Sequence, residues 1–437
     1  MKITILSLIL LISSLLPQSV EVFSQRRETI LQQLHGRSAM ILFTASIHMR
    51  NGDVRFDFRP DNDYWYLTGH DEPGGILMMI SKDLLSATNL DSNNEILFVL
   101  PRNPKIEVWT GRRLGIEGVK RELGFNSSEP VDSFEVRLKN LLPSIDTLYT
   151  NITSPNRSGI PVIITDILDN YDLTNIEQKS VGDFTHSMRH VKTDEEVMFL
   201  QKAIDITGEA LKEAMMLTKP GLKENNIEAA IEFIYRDFGC ERPGFPSIIG
   251  SGPNSTILHY IKNNRMMEEG DLLLMDVGAE YNMYTADISR TIPVNGRYSE
   301  PQAELYSYVL EAQQTVFDSV RVGMTIKDLN MIGKEYLSER GFGKYFIHGI
   351  GHWLGLDVHD VGGRQTAIKT GSVFTIEPGI YISEDDTTAD ERYRGIGIRI
   401  EDVVLMTEDG PVWLSKRIPK KIKEIERIMR RKAKRIR

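Results

Sequence analysis

Cysteine is nearly missing from this chain of 437 residues: Cys240 is the only one, so no internal disulfide is possible. A chain of this length with 41% hydrophobic residues has enough apolar surface for a sizeable core without such staples. A basic balance is also lacking. The formal net charge is −9, and it is unevenly spread, because Lys416–Arg437 holds twelve Lys/Arg against two Glu, leaving about −19 on the rest. An acidic body excludes nucleic acid as the expected partner, since phosphate contacts need a basic footprint. There are no internal repeats and no long low-complexity stretch. Nor is there an apolar run long enough to span a bilayer comfortably. The longest, Ile3–Leu16, follows Met1-Lys2 and precedes Pro17, which fits the n-region and h-region of a secretory signal peptide. Val22-Phe-Ser24 offers residues a signal peptidase could read, with a mature chain starting near Gln25. The expectation is an exported protein, periplasmic or secreted; an uncleaved anchor is the alternative.

What is present falls into four spans: a signal peptide over 1–24, an α/β unit over 25–180, an α+β unit over 181–415 and a basic C-terminal helix over 416–437. In the first unit, short apolar runs (Ala39–Thr44, Gly75–Ile80, Ile96–Pro101, Thr147–Tyr149) alternate with helix-like segments such as 130–142. Residues 151–179, with Pro155 and Pro161, read as a connection. The second unit opens on Thr193-Asp-Glu-Glu196, a capping box, and the helix it starts places Val197, Leu200, Ile204, Leu211 and Met215 on one face. Another helix follows Pro220-Gly221. Strands are expected at Asp271–Gly278, Ala286–Pro293, Val373–Ile382 and Gly397–Thr407, with helices near 301–321 and 326–340 between the second and third. Near the end, Ile422, Ile425 and Ile428 give an amphipathic helix. It would dock by its apolar edge or, less simply, meet an anionic surface.

Chemistry is concentrated in His348-Gly-Ile-Gly-His352-Trp-Leu-Gly-Leu-Asp-Val-His359-Asp360, which holds three of the nine histidines. Each interior glycine costs a helix roughly 0.5–1 kcal/mol against alanine, so a strand-and-turn segment is expected. Several imidazoles on such a segment fit a metal or proton-transfer site; the plain alternative is a histidine-rich surface turn. Four acids sit among apolar neighbours: Asp276 after Leu272-Leu-Leu-Met275, Asp287 before Ile288-Ser-Arg-Thr-Ile, Glu377 in Phe374-Thr-Ile-Glu-Pro-Gly-Ile-Tyr381, and Glu401 in Gly397-Ile-Gly-Ile-Arg-Ile-Glu401. A carboxylate robbed of water needs a partner. Each alone could be a structural group capped by arginine or backbone amides. Together with His352 they are explained by a shared pair of divalent cations, whose charge four carboxylates would balance; bridged ions of this kind lie about 3.5–4 Å apart. Oxygen ligands with a single imidazole suit Mn²⁺ or another hard-to-borderline ion, without excluding cobalt, zinc or iron. Arg399 and Tyr381 could support these ligands or be ordinary packing residues. His259 and His359 remain as imidazoles that could act as donors toward developing charge.

These residues resemble the pita-bread metallopeptidases, a family that includes methionine aminopeptidases, prolidases and Xaa-Pro aminopeptidases. The His348–Asp360 segment is similar to the proline-peptidase signature at each defined position. The flanks MDVGAE, TADISRT, GHWLG, TIEPGIY and RIEDVV follow the family's order, over roughly residues 185–415. The resemblance implies metal ligands at Asp276, Asp287, His352, Glu377 and Glu401 and a pita-bread (creatinase/aminopeptidase) catalytic domain. Arg59-Pro-Asp-Asn-Asp-Tyr-Trp-Tyr-Leu-Thr-Gly-His-Asp-Glu-Pro-Gly-Gly75 resembles the N-terminal domain of Xaa-Pro aminopeptidases, which methionine aminopeptidases lack. Glu107-Val-Trp109-Thr-Gly-Arg-Arg-Leu-Gly115 resembles the segment whose tryptophan, in that family, reaches a neighbouring subunit's active site. One departure is Thr68-Gly-His70, where a more apolar or a polar uncharged residue is expected in place of histidine. The implied enzyme is a dimanganese Xaa-Pro aminopeptidase, a dimer or tetramer, acting on peptides with proline second. A hydroxide bridging two ions would attack, Glu377 would shuttle the proton, His359 would stabilise the oxyanion, His259 would hold substrate, and His348 would line the proline pocket or support the ligands. The alternatives are an Xaa-Pro dipeptidase (prolidase), which shares every ligand, and a non-catalytic binding module, whose mark would be missing ligands.

Overall fold

The computed structural model describes residues 18–88, 93–151 and 173–431. The chain divides into two compact units, Leu15–Ser187 and the residues from Met188 onward. The apolar run Ile3–Leu16 and most of the 151–179 connection lie outside the described residues.

The first unit is built on a mixed six-stranded sheet. Its strands are β1 (Ser38–Phe43), β2 (Ile76–Ile80), β3 (Glu95–Val99), β4 (Ser128–Pro130), β5 (Thr147–Thr150) and β6 (Glu177–Ser180), in the order β4-β3-β2-β1-β5-β6. β1 runs antiparallel to β2 and parallel to β5. The apolar runs form strands as their composition predicts, and both faces of β1 are buried. One face meets Phe134, Leu138 and Leu141 of the helix Phe134–Leu141, spaced so that they share one side. The last part of the expected connection is itself the edge strand β6, paired with β5. Its polar sequence, Glu-Gln-Lys-Ser, carried no strand pattern. The helix Val20–Gln33 begins before the expected cleavage point at Ser24, and Phe23 packs edge-on against Trp65 with ring centroids 5.4 Å apart. His70, unexpected at its position, is buried, with its Nδ1 2.7 Å from the Tyr64 hydroxyl. A polar partner thus offsets the burial of the ring.

The second unit is α+β. Thr193 caps the helix Asp194–Leu217 through the reciprocal bonds of the predicted box. Leu200, Ile204, Leu211 and Met215 of that helix are buried, and it packs on the helix Glu224–Asp237. The strands are short and pair antiparallel: β7 (Ile248–Ser251), β8 (Leu272–Val277) and β9 (Ile288–Pro293) form one sheet; β10 (Val373–Ile376), β13 (Asp402–Thr407) and β14 (Gly410–Trp413) another; and β11 (Gly379–Ile382) pairs with β12 (Ile396–Arg399). Two strands expected to be continuous are therefore broken. The run 373–382 is interrupted at Glu377-Pro378 and the run 396–407 at Ile400-Glu401. In each case the chain passes from one sheet to the other beside an acid. The helix Ile422–Met429 buries Ile425 and Ile428 within this unit, with the Glu426 carboxylate accepting from the Tyr298 amide at 3.3 Å.

Candidate metal centre

The second unit encloses a cavity of about 440 Å³. The four acids and His352 all reach it, from five separate stretches of chain. Asp276 ends the apolar part of β8 and lies opposite Ser289 of β9 in register. Asp287 precedes β9, and Glu377 and Glu401 stand at the two strand breaks. His352 belongs to a segment with neither helix nor strand, pinned by a bridge between Trp353 and Phe374 and by reciprocal bonds with Thr375. The glycines matter at one point especially: a Cβ at Gly351 would lie 2.0 Å from the Thr375 carbonyl. The expected absence of helix holds, although the segment forms no regular strand either.

The imidazole of His352 has a defined orientation. Its Nδ1–H donates to the Trp353 carbonyl at 3.0 Å, which leaves Nε2 with its lone pair toward the acids. Nε2 lies 3.3 Å from Asp287, 3.7 Å from Glu377 and 3.8 Å from Glu401. Ligand atoms of Asp287, His352 and Glu401 all fall within 4.8 Å of one another. Three carboxylate oxygens here are buried without a hydrogen-bond partner: Oδ1 of Asp276, Oδ1 of Asp287 and Oε1 of Glu401. Unpartnered buried acceptors are costly, and three aimed into one polar cavity fit a cation.

Electrostatics agree. Burial, with the charges of Glu401 and Asp276, holds the Asp287 carboxyl well above its ordinary range. Burial, reinforced by Glu401, does the same to Glu377. Burial and the Asp276 charge raise Glu401 to about 7. Asp276 is the exception: burial pushes it up, but the Arg399 guanidinium and hydrogen bonds outweigh that and keep it low. Four acids crowded in this way can ionise together only if positive charge joins them.

Arg399 organises the wall. It is buried, and donates to Asp276 Oδ2 at 2.6 Å, to the Tyr381 hydroxyl at 2.9 Å and to Ser289 Oγ at 2.8 Å. Ser289 passes the chain on, donating to Glu401 Oε2 at 2.9 Å. Tyr381 donates to Nε2 of His348 at 2.8 Å, while Nδ1–H of His348 meets the Gly349 carbonyl. Burial and the Arg399 charge depress His348 to about 4, so the ring is neutral. The His359 ring lies against that of His352, with centroids 4.1 Å apart and planes tilted by 34°. Desolvation, then His352 and His259, bring His359 to about 4 as well. His259 lines the cavity from an exposed position. Trp109 belongs to the first unit, on the helix Pro104–Thr110, with 88% of its surface exposed.

Two participants were not singled out from sequence. Ser289, two residues after Asp287, could have been found by strand alternation. Asp360 could not. Its carboxylate is buried between Arg189 at 2.6 Å and Lys192 at 2.9 Å, both about 170 residues away in sequence.

An acid-rich cavity with one correctly poised imidazole, on an α+β frame of this kind, defines a metallopeptidase of the pita-bread class. The model of metallopeptidase family M24 matches residues 199–408, and that of the aminopeptidase P N-terminal domain matches residues 23–149. The chain is 36% identical to an Xaa-Pro aminopeptidase of Haemophilus influenzae over 94% of its length and 97% of the relative's. The structure of Pseudomonas aeruginosa aminopeptidase PepP superposes with a TM-score of 0.87 at 30% identity, covering 94% of this chain and 98% of the other. A variant of Escherichia coli aminopeptidase P in complex with substrate gives 0.85 at 33% identity, covering 95% and 99%. The chain belongs to the aminopeptidase P family of M24 metallopeptidases, with the family's N-terminal domain followed by its pita-bread catalytic domain.

Proposed function

We propose that this protein is an Xaa-Pro aminopeptidase, removing the single residue that precedes a proline at the second position of a peptide. Asp276, Asp287, His352, Glu377 and Glu401 hold a pair of divalent ions, with manganese the best match to an oxygen-rich set. When bound, such ions neutralise the acids and lower the pKa of water enough for attack at neutral pH. The observation that carries the reading is the convergence of these five side chains on one cavity, with three buried oxygens lacking partners.

The chain's own residues have separable tasks. Glu377 is the least buried of the four acids, so it can take a proton from water and return it to the departing proline nitrogen. His359, neutral, offers an N–H toward the oxygen that becomes negative as the carbonyl is attacked. His259 holds the substrate from the cavity lining, and His348, fixed by Tyr381, shapes the proline pocket. Proline has no N–H and a fixed φ, so recognition through an added β-strand would fail; attack on the preceding carbonyl does not need one. The free α-amine of the substrate, drawn to the acids, limits removal to one residue.

Trp109, exposed on its helix, would serve a neighbouring subunit of a dimer or tetramer. Ile3–Leu16 would direct export to the periplasm or beyond. Among the described residues no helix is long and apolar enough to cross a membrane. A peptide panel read by mass spectrometry tests the activity: an Xaa-Pro dipeptide, an Xaa-Pro-Pro tripeptide and longer peptides, with chelator and after Mn²⁺ is restored. Loss of one residue from the longer peptides, abolished by chelator and restored by Mn²⁺, is expected. Cleavage of the dipeptide alone means a dipeptidase, no cleavage at all means a binding module, and cleavage that survives complete metal removal overturns the metal assignment.

A further inference from the structure

Glu224, the first residue of the helix Glu224–Asp237, is fully buried, a rare place for a glutamate that has no work to do. Its two oxygens are divided between the two ends of one segment. Oε1 accepts from the Ser251 amide at 2.7 Å, the Ser251 hydroxyl at 2.8 Å and the Asn254 side-chain amide at 3.1 Å. Oε2 accepts from the Tyr260 hydroxyl at 2.9 Å and the Arg265 amide at 2.8 Å. Beyond the short turn Gly252–Thr256, residues 257–265 have neither helix nor strand. Yet this stretch presents Leu258 and His259 to the cavity. His259 itself is exposed, so the course of its backbone, more than packing of its ring, decides where the imidazole stands.

We propose that Glu224 is a positioning residue for His259: one carboxylate ties the entry and the exit of segment 251–265 together and thereby sets the imidazole against the substrate. This rests on the role given to His259 above. The segment's other ties lead to the same wall, since the Gly397 amide donates to Ser255 Oγ at 2.9 Å and Arg399 reaches the Leu258 carbonyl at 3.4 Å. All five partners of Glu224 act as donors here, so the position calls for a group that only accepts. Glutamine would turn amide hydrogens toward backbone N–H groups that cannot reverse.

The test is steady-state kinetics on an Xaa-Pro-containing tripeptide for the full-length metal-loaded parent, E224A, E224Q, H259A and E224A/H259A, with metal content and thermal midpoint measured for each. Displacing a substrate-holding group by about 1 Å costs on the order of 100-fold, so E224A should lose about that much in kcat/KM while keeping its metal, and E224Q less. In the H259A background the further loss from E224A should shrink to about twofold or less, the limit expected when two changes act through one group. Should E224A fail to fold, Y260F, which removes one exit bond only, should show a smaller loss that likewise vanishes beside H259A. An impaired H259A with an undiminished additional loss from E224A (or from Y260F) overturns the role of Glu224 alone, as does E224A with the parent's kinetics. An H259A with the parent's kinetics, or a parent without metal-dependent cleavage, overturns the His259 assignment and this proposal with it.

Discussion

Arg399 and Asp276 are joined by a 2.6 Å hydrogen bond between buried groups, and of the four clustered acids Asp276, Asp287, Glu377 and Glu401 it is Asp276 whose carboxyl stays below its ordinary pKa. The other three are all raised. A single guanidinium thus divides four chemically similar acids into one that is ionised on its own account and three that wait for outside charge.

Replacing Arg399 by alanine should therefore do two things at once. It leaves Asp276 buried and unpaired, which costs about 3–5 kcal/mol, and it frees Tyr381 and Ser289 from their shared donor. A lower thermal midpoint and weaker metal retention are expected. Lysine keeps the charge but cannot span Asp276, Tyr381 and Ser289 together, so R399K should recover only part of both. Calorimetry and metal analysis of the two variants check this; full recovery by lysine would show that charge alone matters.

Asp287 leads to a prediction of opposite signs. In the metal-free protein its carboxylate is crowded by Glu401 and Asp276, so Asp287→Asn should stabilise the apo form, by on the order of 1 kcal/mol. In the presence of metal the same change should destabilise relative to the parent, because a ligand is lost and with it the linkage between binding and folding. Thermal midpoints with and without Mn²⁺ should cross. Curves that shift the same way in both states would contradict a metal-binding role for this acid.

The legible parts of this molecule were those with local causes. Thr193 and Glu196 announce a helix start because capping bonds span three residues, and buried acids stand out when apolar neighbours surround them. The breaks at Glu377-Pro378 and Ile400-Glu401 left no comparable mark. Apolar residues continue on both sides of each, and which sheet a strand joins is decided by partners far along the chain. For that reason Val373–Ile382 and Gly397–Thr407 read as unbroken, although the breaks are what turn the two glutamates toward the cavity. β6 was missed for the reverse reason: polar residues form an edge strand there only because β5 lies beside them.

Asp360 supplies a pH-dependent contribution away from the acid cluster. Burial raises its carboxyl, but the Lys192 and Arg189 charges outweigh this and hold it below the ordinary value. A folded pKa below the unfolded one means that the unfolded chain takes up the proton first, so the stabilisation is complete above about pH 3.9, the unfolded value, and is lost as pH falls through the lowered one. Asp360→Asn should cost about 3–5 kcal/mol at pH 7, since buried Lys192 loses its anion and buried Arg189 keeps the half-exposed Asp357 in place of two carboxylates. The gap between parent and variant should close as pH falls below 4. Denaturant melts at pH 7 and pH 3 measure it, and a gap independent of pH would assign the loss to packing instead.

Phe23 bears on where an exported chain would be cut. Cleavage after Ser24 would remove the first turn of the helix Val20–Gln33 together with Phe23, which is 5% exposed and packs on Trp65. The ring also lies so close to Gly69 that a Cβ there would meet it at 2.7 Å, so the surface around it is shaped to receive it. Losing a buried phenylalanine costs about 3–5 kcal/mol, so a chain cut at that point would fold with lower stability. Were the chain exported and processed, a cut upstream of Val20 would keep Phe23 in place, and Phe23→Ala should lower the thermal midpoint. Intact-mass measurement of the exported protein decides it: a chain beginning at Gln25 with undiminished stability would mean that the helix does not need its first turn.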